Sequence, residues 1–451
     1  MARSATTTSR AFSAASKHPL VLILVVALAL RVGLVATTGE YVPHADSIDY
    51  DRNAIFLAEY GRYLPSTQAQ PGSPSAFRPP AWPYLLAGVY EVTGARWTAG
   101  RLMAAVLGTL SVLLIYLVAE AAVGRAVART AGWLAAVFPP MVFMSGSLGA
   151  ESLFVFLMLV AVFATLRARA GPHLLRWAVV AGAACGVAAL TRTNGLVLAV
   201  PVAVGLAAAA GFSLRRPSIK PLLAPALAGL AMVLTIAPWT IRNAAAFGEF
   251  VPVSTQGGYS MAQVWNAEAA SPGPARGAPQ FGPVKPYQHQ AGTDEVELDR
   301  KLRELAVDYA RDHPGYVIEL AGLNLLRMFK LASHESFTYY WNLERDLTAP
   351  RRVLDSIGLA AVVLLVLLAF VGRRSRRSLG DAPWWLWLFP ALLLASTVFL
   401  FGNPRYRAQI DPFLVVVAAV ALCSIRERYR KQRPSPRYVG TWSTIRPPDT
   451  R

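Results

Sequence analysis

The sequence predicts an all-α polytopic membrane protein of about ten transmembrane helices, with two large extracytoplasmic loops that bear interfacial helices. Three observations predict it. Hydrophobic residues make up 54% of the chain and charged residues only 16%, where a soluble domain carries about 25% charged residues. Apolar runs of roughly bilayer-spanning length recur along the chain. Basic residues then collect in alternate turns, as the positive-inside rule requires.

Taken in order, residues 1–18 form a polar, mildly basic tail (Arg3, Arg10, Lys17) that belongs in the cytoplasm. The run "HPLVLILVVALALRVGLVATT" follows. Many later spans, and no small-x-small cleavage pattern behind it, make it an anchor rather than a signal peptide. Further spans fall near residues 98–120, 130–146, 150–166, 174–191, 194–212, 220–239, 353–372, 383–401 and 408–425. Pro139 and Pro140 divide one stretch too long for a single span. With the N-terminus inside, the inner turns carry Arg125 and Arg129; Arg167, Arg169 and Arg176; Arg215, Arg216 and Lys220; and Arg373, Arg374, Arg376 and Arg377. A membrane domain thus occupies 19–425, and residues 426–451 form a basic cytoplasmic tail.

This distribution explains the net charge of +18 as a topological signal and leaves no argument for nucleic acid as a partner. Cys185 and Cys423 both lie in apolar runs far apart, so neither a disulfide framework nor a zinc site is expected. The six histidines lack metal-ligand spacing. An Ala/Arg/Gly-heavy composition without Asn-x-Ser/Thr sequons points to a high-GC bacterium and its plasma membrane.

Two long loops remain outside, residues 38–97 and 240–352, and function belongs there. The first opens with "HADSIDYDRNAIFLAEYGRYLPS". Helix-start logic puts Asp46 at an N-cap and Asp49 at N3 of a helix that stops at Gly61. Ile48, Ile55 and Ala58 then form an apolar face for the membrane surface. The second loop has a Gly/Pro-rich half, then a helical pattern with Leu298, Leu302 and Leu305 that stops at Pro314. The segment "YVIELAGLNLLRMFK" is short and ends in cations, as an interfacial or re-entrant helix does.

Ionisable residues gather at one membrane face. Glu151 lies at the outer end of a span, where a charge is costly and points to function. Asp46 shares that level with Arg31, Arg78, Arg192, Arg242, Arg405 and Arg407. Guanidinium groups suit phosphate through bidentate geometry, and a carboxylate suits proton abstraction from a hydroxyl. Together they imply a phosphate leaving group and an acid/base site near the bilayer.

Seven segments in order carry a family resemblance: "HADSIDYDRNAIFLAEYGRY", "FRPPAWPYLLAG", "GSLGAESLF", "GVAALTRTNGL", "APWTIRNAAAFGEFVPVSTQGG", "LAVDYARDHPGYVIELAGLNLLRMFK" and "NPRYRAQIDPFLVVVAA". The ordered set resembles the membrane glycosyltransferases of the GT-C class, specifically the protein O-mannosyltransferase and aminoarabinose-transferase-like clan. It departs from some branches in having Ser47 after the first Asp and Asn403-Pro404 before Arg405. The resemblance implies a GT-C catalytic domain over 19–425. Its donor would be a polyprenyl-phosphate-linked sugar, transferred with inversion to an extracytoplasmic glycan, lipid or protein. Asp46 would be the general base, and Glu151 would orient the acceptor or a basic group. Arg192, Arg242 and Arg405 would neutralise the leaving phosphate; Tyr50, Tyr406, Arg78 and Arg31 are the substrate-binding candidates. A divalent metal between acid and phosphate is admitted but not demanded.

Two rivals remain at this stage. A transporter or flippase of lipid-linked glycans would also want many spans and phosphate-binding arginines, but with charges near the midplane and internal repeats. A ligase of whole lipid-linked glycans shares the mechanism and differs in how much sugar moves.

Overall fold

The computed structural model describes residues 19–212, 219–332, 345 and 347–432. The predicted N-terminal tail, the turn with Arg215 and Arg216, part of the second loop and the end of the basic tail lie outside the described residues. Those described are helical, without a strand among them. In chain order the described α-helices of six or more residues are α1 (Pro19–Ala36), α2 (Asp46–Tyr60), α3 (Ala81–Thr93), α4 (Trp97–Ala122), α5 (Arg125–Val137), α6 (Pro139–Met144), α7 (Glu151–Ala170), α8 (Leu174–Thr191) and α9 (Ala199–Ala209). They continue with α10 (Leu223–Phe247), α11 (Gly257–Val264), α12 (Glu295–Asp312), α13 (Pro314–Met328), α14 (Ala349–Val371), α15 (Arg373–Asp381), α16 (Leu388–Val398) and α17 (Asp411–Gln432). Short 3-10 turns join several of them, including Thr193–Leu198 and Pro404–Gln409.

Six helices among the described residues are long and apolar enough to cross a membrane: α1, α4, α7, α8, α10 with its preceding turn, and α14. At 1.5 Å per residue, 18 residues reach about 27 Å, close to the hydrocarbon thickness. The expected count of ten is not confirmed. Two further expected spans are shorter apolar helices, Thr193–Ala209 and Trp384–Val398. Another is broken at Pro139 into α5 and α6, and α17 carries charges over its last two turns.

The bundle core is built from alanine and glycine as much as from large apolar residues, which lets helix backbones approach closely. On α8, Ala178, Ala181, Ala184, Ala188 and Ala189 are buried. A Cβ on Gly182 would lie 2.0 Å from the Ala228 carbonyl oxygen of α10, so only glycine fits that crossing.

Arg31 shows why the break at Pro139 and Pro140 is tolerated. Neither proline has an N–H, so the carbonyls four residues earlier, on Ala135 and Ala136, lose their helical donors. Arg31, fully buried on α1, donates to Ala136 at 3.3 Å and to Ala135 at 3.4 Å, and its Nε reaches Ser145 Oγ at 3.2 Å. Arg31, a substrate-binding candidate by sequence, here gives its donors to backbone carbonyls and Ser145 Oγ at a helix break, a task in a low-dielectric interior that no apolar residue performs.

Helix α2 differs in two ways from its expectation. It ends at Gly61, as predicted, in the left-handed conformation (φ 64°). Asp46, however, does not cap it. The residue before the helix is Ala45 (φ 50°, ψ −126°), and no side chain caps the first turn. Ser47 N donates to His44 O at 3.0 Å, closing a tight turn whose second residue has the positive φ of a type II′ turn, normally a glycine position. Further, the face of Tyr50, Ala54 and Leu57 is buried against α3 residues such as Trp82 and Leu86. Ile55 and Ala58 pack on this same cluster rather than forming a membrane-surface face.

Candidate active site

The three aspartates that open the first loop divide between scaffold and ion pairs, Asp51 in the first role and Asp49 and Asp46, which share Arg78, in the second. Asp51 is buried and accepts from Tyr90 Oη at 2.7 Å and Trp97 Nε1 at 2.9 Å, pinning α2 to α3 and α4. Asp49 Oδ2 accepts from Arg78 Nε at 2.9 Å and Nη2 at 2.7 Å. Asp46 Oδ1 accepts from Arg78 Nη2 at 2.6 Å, and its Oδ2 pairs with Arg405.

Arg405 links the two predicted acids. It comes from the Pro404–Gln409 turn, where Asn403 Oδ1 accepts from its backbone N–H at 3.0 Å and fixes the start of the turn. Besides Asp46, its Nε lies 3.1 Å from Glu151 Oε1. Glu151, at the first position of α7, also pairs with Arg192, which sits where α8 gives way to the Thr193–Leu198 turn. The chain of contacts runs Asp49, Arg78, Asp46, Arg405, Glu151, Arg192, with charges alternating along it. Tyr406 lies beside two of these cations, its ring centroid 5.1 Å from the Arg192 guanidinium and 5.3 Å from that of Arg405. Tyr50 lies 5.7 Å from Arg78 in the same sense.

Three acids and three arginines make the cluster formally neutral. Burial pushes the Asp46 carboxyl up, but the positive charges of Arg405 and Arg78 outweigh it and hold the group well below the usual carboxylate range. Asp46 is therefore ionised at neutral pH. Burial raises the Tyr50 phenol, which stays a neutral hydrogen-bonding group.

The cluster borders a cavity of about 570 Å³, of small-molecule size. Asp46, Tyr50, Arg78, Arg192, Arg405 and Tyr406 all line it. Bundle residues such as Val197, Leu400 and Phe401 share the lining with large-loop residues such as Thr255, Gly257 and Asp299. Arg242 does not join them. It donates to Ser75 O at 2.8 Å and its guanidinium lies 4.9 Å from the Trp239 ring, so it ties the first loop to the end of α10. Arg407 likewise turns away and pairs with Asp411 at 2.8 Å.

A divalent metal does not fit between the two acids. Arg405 contacts both Asp46 and Glu151, and a cation placed there would meet a guanidinium. Among the described residues no group of three or more His, Cys, Asp or Glu side chains converges on one point.

Sequence reasoning missed the wall built by the large loop. Asp299 and Arg303 on α12 face the cavity, and their i, i+4 spacing in "VELDRKLREL" was the available signal. It is weak because most such pairs are solvated helix faces.

In fold, the chain is similar to the archaeal oligosaccharyltransferase AglB from Archaeoglobus fulgidus in complex with an inhibitory peptide and a dolichol-phosphate. The TM-score is 0.56 at 16% identity, covering 92% of this chain and 52% of that one. The apo form of the Archaeoglobus fulgidus oligosaccharyltransferase gives 0.55 at 16% identity, over 91% and 51%. The chain has the GT-C fold. The chain spans about half the length of those oligosaccharyltransferases. ArnT from Cupriavidus metallidurans bound to undecaprenyl phosphate is also similar, at a TM-score of 0.45 and 16% identity over 91% of this chain and 78% of that one. Residues 77–241 match the family described as dolichyl-phosphate-mannose-protein mannosyltransferase, a stretch that includes Arg78, Glu151 and Arg192. No curated protein matches this chain in sequence.

Proposed function

We propose that this chain is an integral membrane glycosyltransferase that moves a sugar from a polyprenyl-phosphate donor to an extracytoplasmic acceptor. The acceptor is a cell-envelope glycan, lipid or protein, and both termini are cytoplasmic in a bacterial plasma membrane. The observation that carries the reading is the alternating chain Asp46–Arg405–Glu151–Arg192 beside a cavity of about 570 Å³. The known partners of the neighbours point the same way: AglB was solved with a dolichol-phosphate and ArnT with undecaprenyl phosphate.

The chemistry follows from charge competition. The donor phosphate is the strongest anion to enter the cluster, and the Arg192 and Arg405 guanidiniums are suited to grip it. In doing so it competes with Asp46 and Glu151 for those cations. Asp46 loses the positive charge that holds its pKa down and becomes a better base. It then takes the proton of the acceptor hydroxyl. The acceptor oxygen attacks the anomeric carbon from the face opposite the phosphate, with inversion, and the C–O bond to phosphate breaks. The leaving phosphate is stabilised by Arg192 and Arg405, a contribution that grows as charge develops. Glu151 keeps Arg192 and Arg405 aligned, and Tyr50 and Tyr406 supply neutral hydrogen bonds to sugar or phosphate. No step uses a metal.

The alternative, a flippase of lipid-linked glycans, needs the phosphate grip but no base. Comparing lipid extracts by mass spectrometry from cells lacking the protein, complemented with wild type or with Asp46→Asn, separates the two. Accumulation of a polyprenyl-phospho-sugar with Asp46→Asn alone supports transfer; matching profiles at equal expression sink it.

A further inference from the structure

Four arginines and two aspartates line the cavity; the donor chemistry above uses Arg192 and Arg405, and Arg78 is held by Asp46 and Asp49. The fourth, Arg303, belongs to α12 of the large loop, and its side chain is 52% exposed. One guanidinium nitrogen is held by Asp299. The others have no protein partner among the described residues, so a fork of donors faces open space. The neighbouring cations on the same helix are engaged elsewhere: Arg300 pairs with Glu249 at 2.9 Å, and Lys301 lies 5.7 Å from the Tyr287 ring centroid.

The corner that holds Arg303 is built for it. Asp299 Oδ1 accepts from the backbone N–H of Gly258 at 2.5 Å, fixing the carboxylate against the start of α11. A Cβ on Gly257 would lie 3.1 Å from Arg303 Nη2, so glycine there leaves the guanidinium its place at the wall. Ser254, Gln256 and Ser260 line the same cavity and offer neutral hydrogen-bonding groups suited to sugar hydroxyls.

We propose that Asp299 and Arg303 form an acceptor subsite on the large loop that selects a sugar bearing an anionic group. The proposal rests on the glycosyltransferase reading for the word acceptor, but not for the binding itself. Asp299 has its charge spent on Gly258 and Arg303, leaving the outer edge of the guanidinium for the ligand. A planar fork takes a carboxylate or phosphate in bidentate fashion, and the donors that Asp299 leaves open on Arg303 favour an anion over a neutral sugar.

The test measures binding to the purified full-length protein in detergent micelles by calorimetry. The probes are a galacturonic acid disaccharide, glucose 6-phosphate, a neutral galactose disaccharide and undecaprenyl phosphate. At least one anionic sugar is expected to bind about tenfold tighter than the neutral one, with an advantage that shrinks as salt is raised. Arg303→Gln, close in size and free of charge, is expected to remove that advantage. Whichever anionic probe binds tighter identifies carboxylate or phosphate as the recognised group. Equal binding of charged and neutral sugars, binding of neither anionic sugar, or an Arg303→Gln protein that keeps the advantage overturns the subsite. Failure of undecaprenyl phosphate to bind wild type counts against the polyprenyl-phosphate reading and leaves the subsite standing on its own data.

Discussion

Arg405 lies 359 residues from Asp46 in the chain and pairs with it, while its Nε holds Glu151 at 3.1 Å. One side chain from the last membrane segments thereby joins the first loop to the head of α7. Removing Asp46's charge leaves Arg405 with Glu151 and Arg78 with Asp49. Asp46→Asn should therefore fold, at a cost of about 1–3 kcal/mol, and lose transfer by about 10²–10⁴-fold, the usual worth of a general base. Turnover of a polyprenyl-phosphate sugar by the purified variant, alongside its thermal unfolding, checks both numbers; unaltered turnover in a folded protein would remove Asp46 from the chemistry.

Arg31 should matter to stability and not to substrate. Arg31→Met leaves the Ala135 and Ala136 carbonyls without donors in the bundle interior, at about 1–3 kcal/mol for each buried group. A lowered thermal midpoint in detergent is expected, with phosphate affinity unchanged when both proteins are folded. A loss of polyprenyl phosphate binding without a loss of stability would return Arg31 to the site.

Ala45 occupies a backbone conformation that suits glycine, immediately before Asp46. Such strain costs about 1–3 kcal/mol. Ala45→Gly should raise the thermal midpoint, by relief of strain less the extra chain entropy of glycine. A lowered midpoint would mean that the turn is not strained.

Two carboxyls outside the spans give opposite pH dependences. Asp46 is depressed in the folded state, chiefly by Arg405 and Arg78 working against burial. Its stabilising contribution is present above the unfolded value of about 3.9 and disappears as pH falls through the folded value. The acid limb of kcat/KM, which reports the free enzyme, should accordingly lie below the ordinary carboxylate range. Glu295 is raised by burial, although Oε2 accepts from Ala76 N and Thr255 Oγ1, both at 2.8 Å. Its contribution is present below the unfolded value of about 4.3 and is lost as pH rises through the folded one. Glu295→Gln should hold the two loops together better at pH 7 than at pH 4, relative to wild type, in paired thermal melts. A variant effect independent of pH would show that Glu295 carries no such linkage.

What was legible beforehand is local in its physics. Hydropathy and arginine placement announce spans because burying charge in hydrocarbon is costly, and a Gly61 stop or a Pro139 break acts through its own backbone. Asp46, Glu151, Arg192 and Arg405 were readable as candidates because ionisable groups at span ends are expensive. Their partners were not. Arg31, Arg192, Arg242 and Arg405 are the same residue type at similar depth, and only tertiary packing decides which of them meets a carboxylate and which meets a backbone carbonyl. The same holds for Asp46: sequence spacing made it a helix cap, and the II′-like turn at Ala45, together with Arg78 and Arg405 arriving from distant segments, made it the centre of an ion-pair chain. The sequence by itself determined that this chain is a helical membrane protein with charge concentrated at one face. The pairing of those charges, and with it the division between site and scaffold, was decided by the tertiary structure, because ion pairs and hydrogen bonds act over a few ångströms between residues hundreds of positions apart.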